Sequence, residues 1–223
     1  MVSCGFDDLY TVHYCTPFSP YAYHYSGNNE FGQLGLGVAS SKNTPDNGNG
    51  LNNVEAVSAG SYHSLIGTSN GFYVMGRNNY HQLCSTGGDE SRPVKINEYQ
   101  EYTSFAAGSE SSYIVLNTGT SAISCGRNDE GQLGNGSTSD KSSGTNVNRE
   151  NMGNSRIESV RSGPSSRSVF FETSDGRLYG TGLNDRGQLG VGDKSNRSTA
   201  TEVQFNQDNA ERVSSSDTHT LAW

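Results

Sequence analysis

Short apolar runs alternate with Gly-, Asn- and Ser-rich segments along the whole chain. Leu65-Ile66 is followed by the turn Ser69-Asn70-Gly71 and then by Phe72-Tyr73-Val74-Met75. The same order returns as Val169-Phe170-Phe171, Ser174-Asp175-Gly176 and Arg177-Leu178-Tyr179. Asn-Gly and Asp-Gly between apolar runs predict β-hairpins, because both turn residues tolerate the left-handed backbone a tight reversal needs. Further runs such as Pro93-Val94-Lys95-Ile96 predict an additional edge strand. No stretch has the apolar spacing of an amphipathic helix, so the expected class is all-β.

The hairpins belong to a repeat. Gly27-Asn28-Asn29-Glu30-Phe31-Gly32-Gln33-Leu34-Gly35 returns at Gly126–Gly134 and Gly182–Gly190, with a weaker copy at Gly76–Cys84. The template is G-x-N-[DEN]-x-G-Q-L-G, and its copies start 49, 50 and 56 residues apart. A second element precedes each copy: Val57-Ser58-Ala59-Gly60 has counterparts at Val2–Gly5, Phe105–Gly108, Val160–Gly163 and Val213–Ser216. Each unit of roughly 50 residues supplies an inner strand, a hairpin and an edge strand. Four-stranded sheets that cannot bury both faces alone must stack, which describes propeller blades. The units are expected at 2–56, 57–104, 105–159 and 160–212, with a partial fifth at 213–223. In the template loop, Leu should enter the blade and Gln should meet buried backbone groups, while Gly permits positive φ. His81 and Cys84 replace two template glycines, so the second loop is expected to be irregular. The segments Val38 to Asn53 and Ser137 to Ser155, rich in Ser, Asn and Gly, read as mobile surface connections.

Composition narrows the function. Only 31% of residues are hydrophobic and 28 are Gly, yet 12 Tyr and 8 Phe recur in clusters, which favours folded β over disorder. The net charge of −8 comes with no clustered Lys or Arg, so direct nucleic-acid binding is not expected. No apolar stretch reaches membrane length, and the first sixteen residues lack the pattern of a secretory signal. The cytoplasm or nucleus is the expected location. Cys4, Cys15, Cys84 and Cys125 form no metal-type spacing, and free, mostly buried thiols are expected. Asn135-Gly136-Ser137 and Asn196-Arg197-Ser198 match the glycosylation pattern and read as chance. No nucleophile–base pair, phosphate loop or ligand cluster stands out, so neither a catalytic residue nor a cofactor is expected.

The loop template and the V-x-x-G-x-x-H-[ST] strand resemble the regulator of chromosome condensation 1 (RCC1) repeat family, over essentially the whole chain. The resemblance implies an RCC1-like β-propeller of about four blades of four antiparallel strands plus a partial fifth. Family members typically close seven blades, so more chain or a partner subunit is expected to complete the ring. Fold fixes function poorly here. A protein–protein interaction module or scaffold is the leading expectation. The alternative implied by the resemblance is guanine-nucleotide exchange on a small Ran-like GTPase. Light sensing in this family relies on clustered tryptophans, and Trp223 stands alone.

Candidate partner contacts sit in the turns after the inner strands: Asp7, Tyr62, Glu110 and Asp217, with Arg167 placed in a column of otherwise small or apolar residues. Aromatics and fixed charges commonly anchor interfaces. Phe18 and Tyr21, in the Pro-rich insertion Cys15 to Tyr23, are the remaining candidates. His63 and His219 share a template column, and each is expected to bond a neighbouring strand.

Overall fold

The computed structural model describes residues 2–4, 8–12, 23–47, 50–99, 101–116, 119–205 and 212–222. Four antiparallel four-stranded sheets follow one another, each a simple meander. The first contains β1 (Val2–Cys4), β2 (Asp8–Val12), β3 (Tyr23–Gly27) and β4 (Lys42–Asn47). The second contains β5 (Val54–Ala59), β6 (His63–Thr68), β7 (Gly71–Gly76) and β8 (Glu90–Ile96). The third contains β9 (Tyr102–Ala107), β10 (Ser111–Leu116), β11 (Ala122–Gly126) and β12 (Lys141–Asn146). The fourth contains β13 (Ile157–Arg161), β14 (Ser168–Thr173), β15 (Leu178–Gly182) and β16 (Arg197–Glu202). A hairpin of β17 (Val213–Ser215) and β18 (Thr220–Ala222) begins a fifth.

The cores lie between sheets. Leu65 on β6 faces the third sheet with Ala107 and Ile114, whereas its neighbour Ile66 faces the first with Tyr23, Tyr25 and Leu34. On β14, Val169 and Phe171 pack against Tyr113 and Val115, and Phe170 points the other way towards Val213. Middle strands therefore bury both faces, and they read as continuous apolar runs instead of alternating ones. Edge strands behave oppositely. β12 (Lys-Ser-Ser-Gly-Thr-Asn) holds no fully buried residue, and Pro93 sits on the edge strand β8, where its missing N–H costs little.

Two expectations are corrected. The segments read as mobile connections carry regular structure: β4 lies within the first, and β12 with a short 3₁₀ turn at Glu150–Met152 lies within the second. Met152 is buried in the core between the third and fourth sheets. The second template loop is also regular. His81 (φ 65°) and Cys84 (φ 54°) take the left-handed conformation that Gly131 (78°) and Gly134 (64°) adopt one blade later. The turn hydrogen bonds are the same as well, with the His81 and Cys84 amides donating to Asn78 and His81 carbonyls at 3.0 Å each. A side chain at positive φ costs about 1 kcal/mol, and His81 is not cross-linked. His81→Gly is therefore expected to raise stability by about 1 kcal/mol, read from urea denaturation midpoints.

Each loop hangs on its template Asn. Asn128 Oδ1 accepts the Leu133 amide at 2.9 Å, while Nδ2 donates to the carbonyls of Ser137 and Ser139 at 2.9 and 3.0 Å. Asn29, Asn78 and Asn184 repeat the bond to Leu34, Leu83 and Leu189. As expected, the four leucines are fully buried and each Gln Oε1 accepts a loop amide, as Gln132 does from Glu130 at 2.9 Å. Asn128→Ala leaves the buried Leu133 amide without its partner, and should cost about 2 kcal/mol in the same denaturation assay.

Candidate functional site

The turns that follow the inner strands line one rim. Gly60-Ser61-Tyr62, Gly108-Ser109-Glu110 and Gly163–Arg167 occupy equivalent places, because the amides of Arg77, Arg127 and Leu183 donate to the carbonyls of Tyr62, Glu110 and Arg167 at 2.8, 2.9 and 3.0 Å. Arg167 thus shares the column of Tyr62 and Glu110, not a column of small residues. The longer turn 163–167 had shifted its apparent alignment.

Successive turns are bonded to one another. The Ser61 amide donates to the Ser109 carbonyl at 3.1 Å and the Ser109 amide to the Ser166 carbonyl at 2.9 Å. Ser61 Oγ reaches the Pro164 carbonyl at 2.8 Å, and Ser166 Oγ reaches that of Ser216 at 3.2 Å. Backbone fixed this way presents its side chains with little freedom left to lose on binding.

Three guanidinium groups straddle the blade junctions above this belt. Arg77 lies over the rings of Phe31 and Tyr62, 4.7 and 5.6 Å from their centroids. Arg127 lies over Tyr80 at 5.1 Å and forms ion pairs with Glu110 at 2.7 Å and Asp129 at 2.5 Å. Arg167 forks onto both oxygens of Asp217 at 2.9 and 3.1 Å and also meets Glu130 at 3.1 Å. Hydrogen bonds donated to Asp129 and Glu110 raise the Arg127 pKa, and those donated to Asp217 do the same for Arg167. Partial burial pushes the Asp129 carboxyl up, but hydrogen bonds from Arg127 and Gln132 outweigh it and hold the group below the usual carboxylate range.

Beneath the rim, His63 is fully buried and its Nε2 lies 3.0 Å from Ser112 Oγ on the next blade. Burial pulls its pKa down to about 4, against a weaker opposing backbone bond to Ser111. This is the inter-strand bond expected of His63. His219 differs, because its Nδ1 lies 3.0 Å from Ser216 Oγ within its own exposed turn.

The structure therefore brings Tyr62, Glu110, Arg167 and Asp217 onto one rim, where Tyr62, Arg167 and Asp217 are engaged across a blade junction and Glu110 pairs with Arg127 of its own blade. Asp7, Phe18 and Tyr21 lie outside the described residues. Sequence reasoning missed Phe31, Arg77, Tyr80, Arg127 and Glu130. They fill the second and fifth columns of the loop template, and variation in otherwise fixed loops was the signal that could have found them. Among the described residues no group of three or more His, Cys, Asp or Glu could hold a metal ion, and no helix is long and apolar enough to cross a membrane. An open cavity of about 420 Å³ lies between the fourth sheet and the final hairpin, lined by Phe170, Leu178, Val203, Phe205, Thr218 and Ala222.

The repeat also matches known proteins. Family models described as the regulator of chromosome condensation (RCC1) repeat match residues 26–66, 54–82 and 175–223. The chain belongs to the RCC1 repeat family. It is 34% identical over 187 residues to mouse (Mus musculus) probable E3 ubiquitin-protein ligase HERC4, covering 81% of this chain and 17% of that protein. Human WBSCR16 superposes with a TM-score of 0.81 at 21% identity, over 95% of this chain and 56% of the other. Yeast RCC1 (Prp20), solved bound to Kap60, superposes at 0.81 with 19% identity, over 100% and 53%. The chain thus spans little more than half of these RCC1-like propellers and about a sixth of the ligase.

The cysteine expectation is corrected by the same junctions. Cys84 and Cys125 form a disulfide across 41 residues, joining the second template loop to β11. At the junctions on either side, the loop glycine abuts the side chain that precedes the next blade's glycine: Gly35 meets Met75 and Gly134 meets Thr181. Cys84 and Cys125 fill that same pair of places, so one covalent bond replaces a packing contact.

Proposed function

We propose that this chain is a non-catalytic protein–protein interaction module, working as part of a larger assembly, whose contact surface is the rim of turns and template loops. The observation that carries the reading is the belt itself. Tyr and Arg, the residue types that most often anchor interfaces, stand at successive junctions on hydrogen-bonded backbone. Carboxylates between them supply charge complementarity that sets register and selectivity.

Guanine-nucleotide exchange on a small Ran-like GTPase is the second reading. Its support is the likeness to yeast RCC1 over the full length of this chain. Release of a fluorescent guanine nucleotide from a Ran-like GTPase separates the two. The module reading expects no acceleration by micromolar chain. Acceleration tenfold or more, lost in Arg167→Glu, would favour exchange.

A further inference from the structure

The three rim arginines are not equivalent in charge. Arg127 is neutralised by Glu110 and Asp129, and Arg167 by Asp217 and Glu130. Arg77 stands in the same template column as Arg127, yet among the described residues no carboxylate forms an ion pair with it and no group accepts a hydrogen bond from its side chain. Its neighbours are instead two rings, Phe31 and Tyr62, in edge-to-face contact at 5.3 Å.

Those rings orient the cation without satisfying it. A planar guanidinium over aromatic faces has its plane fixed while its N–H edge stays available, and that edge matches the two oxygens of a carboxylate. The surrounding backbone is held as firmly as at the other junctions. The Arg77 amide donates to the Tyr62 carbonyl at 2.8 Å, and Asn78 Nδ2 ties the loop to the Ser85 and Gly87 carbonyls at 3.1 and 2.7 Å. Arg77 itself is only partly exposed. The neighbouring junctions show what such a group takes on this rim: a carboxylate, and in Asp217 a two-point one.

We propose that Arg77, clamped by Phe31 and Tyr62, is the receptor for an Asp or Glu side chain of a protein partner. The inference rests on the reading of the rim as a protein-binding surface and adds the chemistry of one contact. With Glu110 and Asp129 at the next junction and a chain charge of −8, the surface disfavours a run of acidic residues. The partner feature that fits is a single carboxylate flanked by neutral or basic groups.

Peptide display against the immobilised full chain tests this, using a randomised twelve-residue library. Peptides whose binding is weakened by Arg167→Glu or Tyr62→Ala should show one position enriched in Asp or Glu. A selected peptide should lose roughly tenfold or more in affinity when that residue becomes Asn or Gln, and the same when Arg77 becomes Ala. Arg77→Lys keeps the charge but loses the fork, and should recover only part of the loss. Arg77→Ala should lower the thermal melt by only a few degrees, because the side chain gives up its contacts with two rings but no ion pair within the described chain. Rim-dependent peptides with no acidic position, or with affinity indifferent to Arg77, would overturn the carboxylate assignment and leave the rim reading standing. Peptides whose binding ignores Arg167 and Tyr62 altogether would overturn both.

Discussion

Reduction of the Cys84–Cys125 bond is expected to lower the melting temperature by about 10 °C. The cross-link closes 41 residues, which by loop-closure entropy restrains the unfolded chain by about 4 kcal/mol. For a domain of this size each kcal/mol corresponds to about 2–4 °C. Cys84→Gly with Cys125→Thr makes a sharper test, because it rebuilds the Gly134–Thr181 contact of the following junction. The variant gives up the cross-link but removes a side chain from positive φ at position 84, returning about 1 kcal/mol. Its net loss should be about 3 kcal/mol, with no further response to reductant. A wild-type melt indifferent to reductant would contradict the account. So would thiol titration of the unreduced denatured chain that finds all four cysteines reactive. Disulfides persist in oxidising surroundings, so this stabilisation depends on where the chain resides.

Acidification should act mainly through His63. Its folded pKa of about 4 lies below the ordinary value of 6.5, so between these limits the unfolded chain binds a proton that the folded chain refuses. Stability is therefore fully present above pH 6.5, falls as the pH drops towards 4, and changes no further below that. The full effect is roughly 3 kcal/mol, of which about 2.5 kcal/mol is lost by pH 4.5. The cause is specific: the ring is fully buried beside the Ser112 hydroxyl, and protonation would place a charge there without a counter-ion. Urea denaturation at pH 7.5 and 4.5 measures the difference. His63→Gln, which keeps a side-chain hydrogen-bonding group, should shrink it by about 2.5 kcal/mol. An unchanged pH dependence in that variant would show that other groups carry the acid sensitivity.

How much of this was legible depended on which faces each residue buries. Leu65-Ile66 and Val169–Phe171 announce middle strands because two cores claim alternate side chains. The template loop was legible because its Asn, Gln and Leu must recur wherever the same hydrogen bonds and the same pocket recur. Edge strands β4 and β12 were not, since strands such as Lys141–Asn146 carry no buried face to impose alternation. The second loop was misread because His81 and Cys84 adopt the glycine conformation despite its cost. The disulfide was illegible in principle, as pairing among four cysteines cannot be deduced from spacing.

The site was half legible. Tyr62, Glu110, Arg167 and Asp217 stood out as turn residues with anchoring chemistry. Their partners did not, because Arg167 meets Glu130 and Asp217 at sequence separations of 37 and 50 residues. Only the closed stacking of blades brings those columns together. Two extra residues in the turn 163–167 were enough to hide the column to which Arg167 belongs.

Photo-crosslinking from the rim tests the central claim most directly. A photoreactive phenylalanine analogue would replace Tyr62 on the rim and, separately, Val94 on the exposed edge strand β8. Both chains would be expressed and irradiated in cells of the source organism. The account predicts discrete protein adducts from position 62, weakened when Arg167→Glu is added, and few or none from position 94. Equal adduct formation at both positions, or adducts from position 94 alone, would contradict the rim as the protein-binding surface.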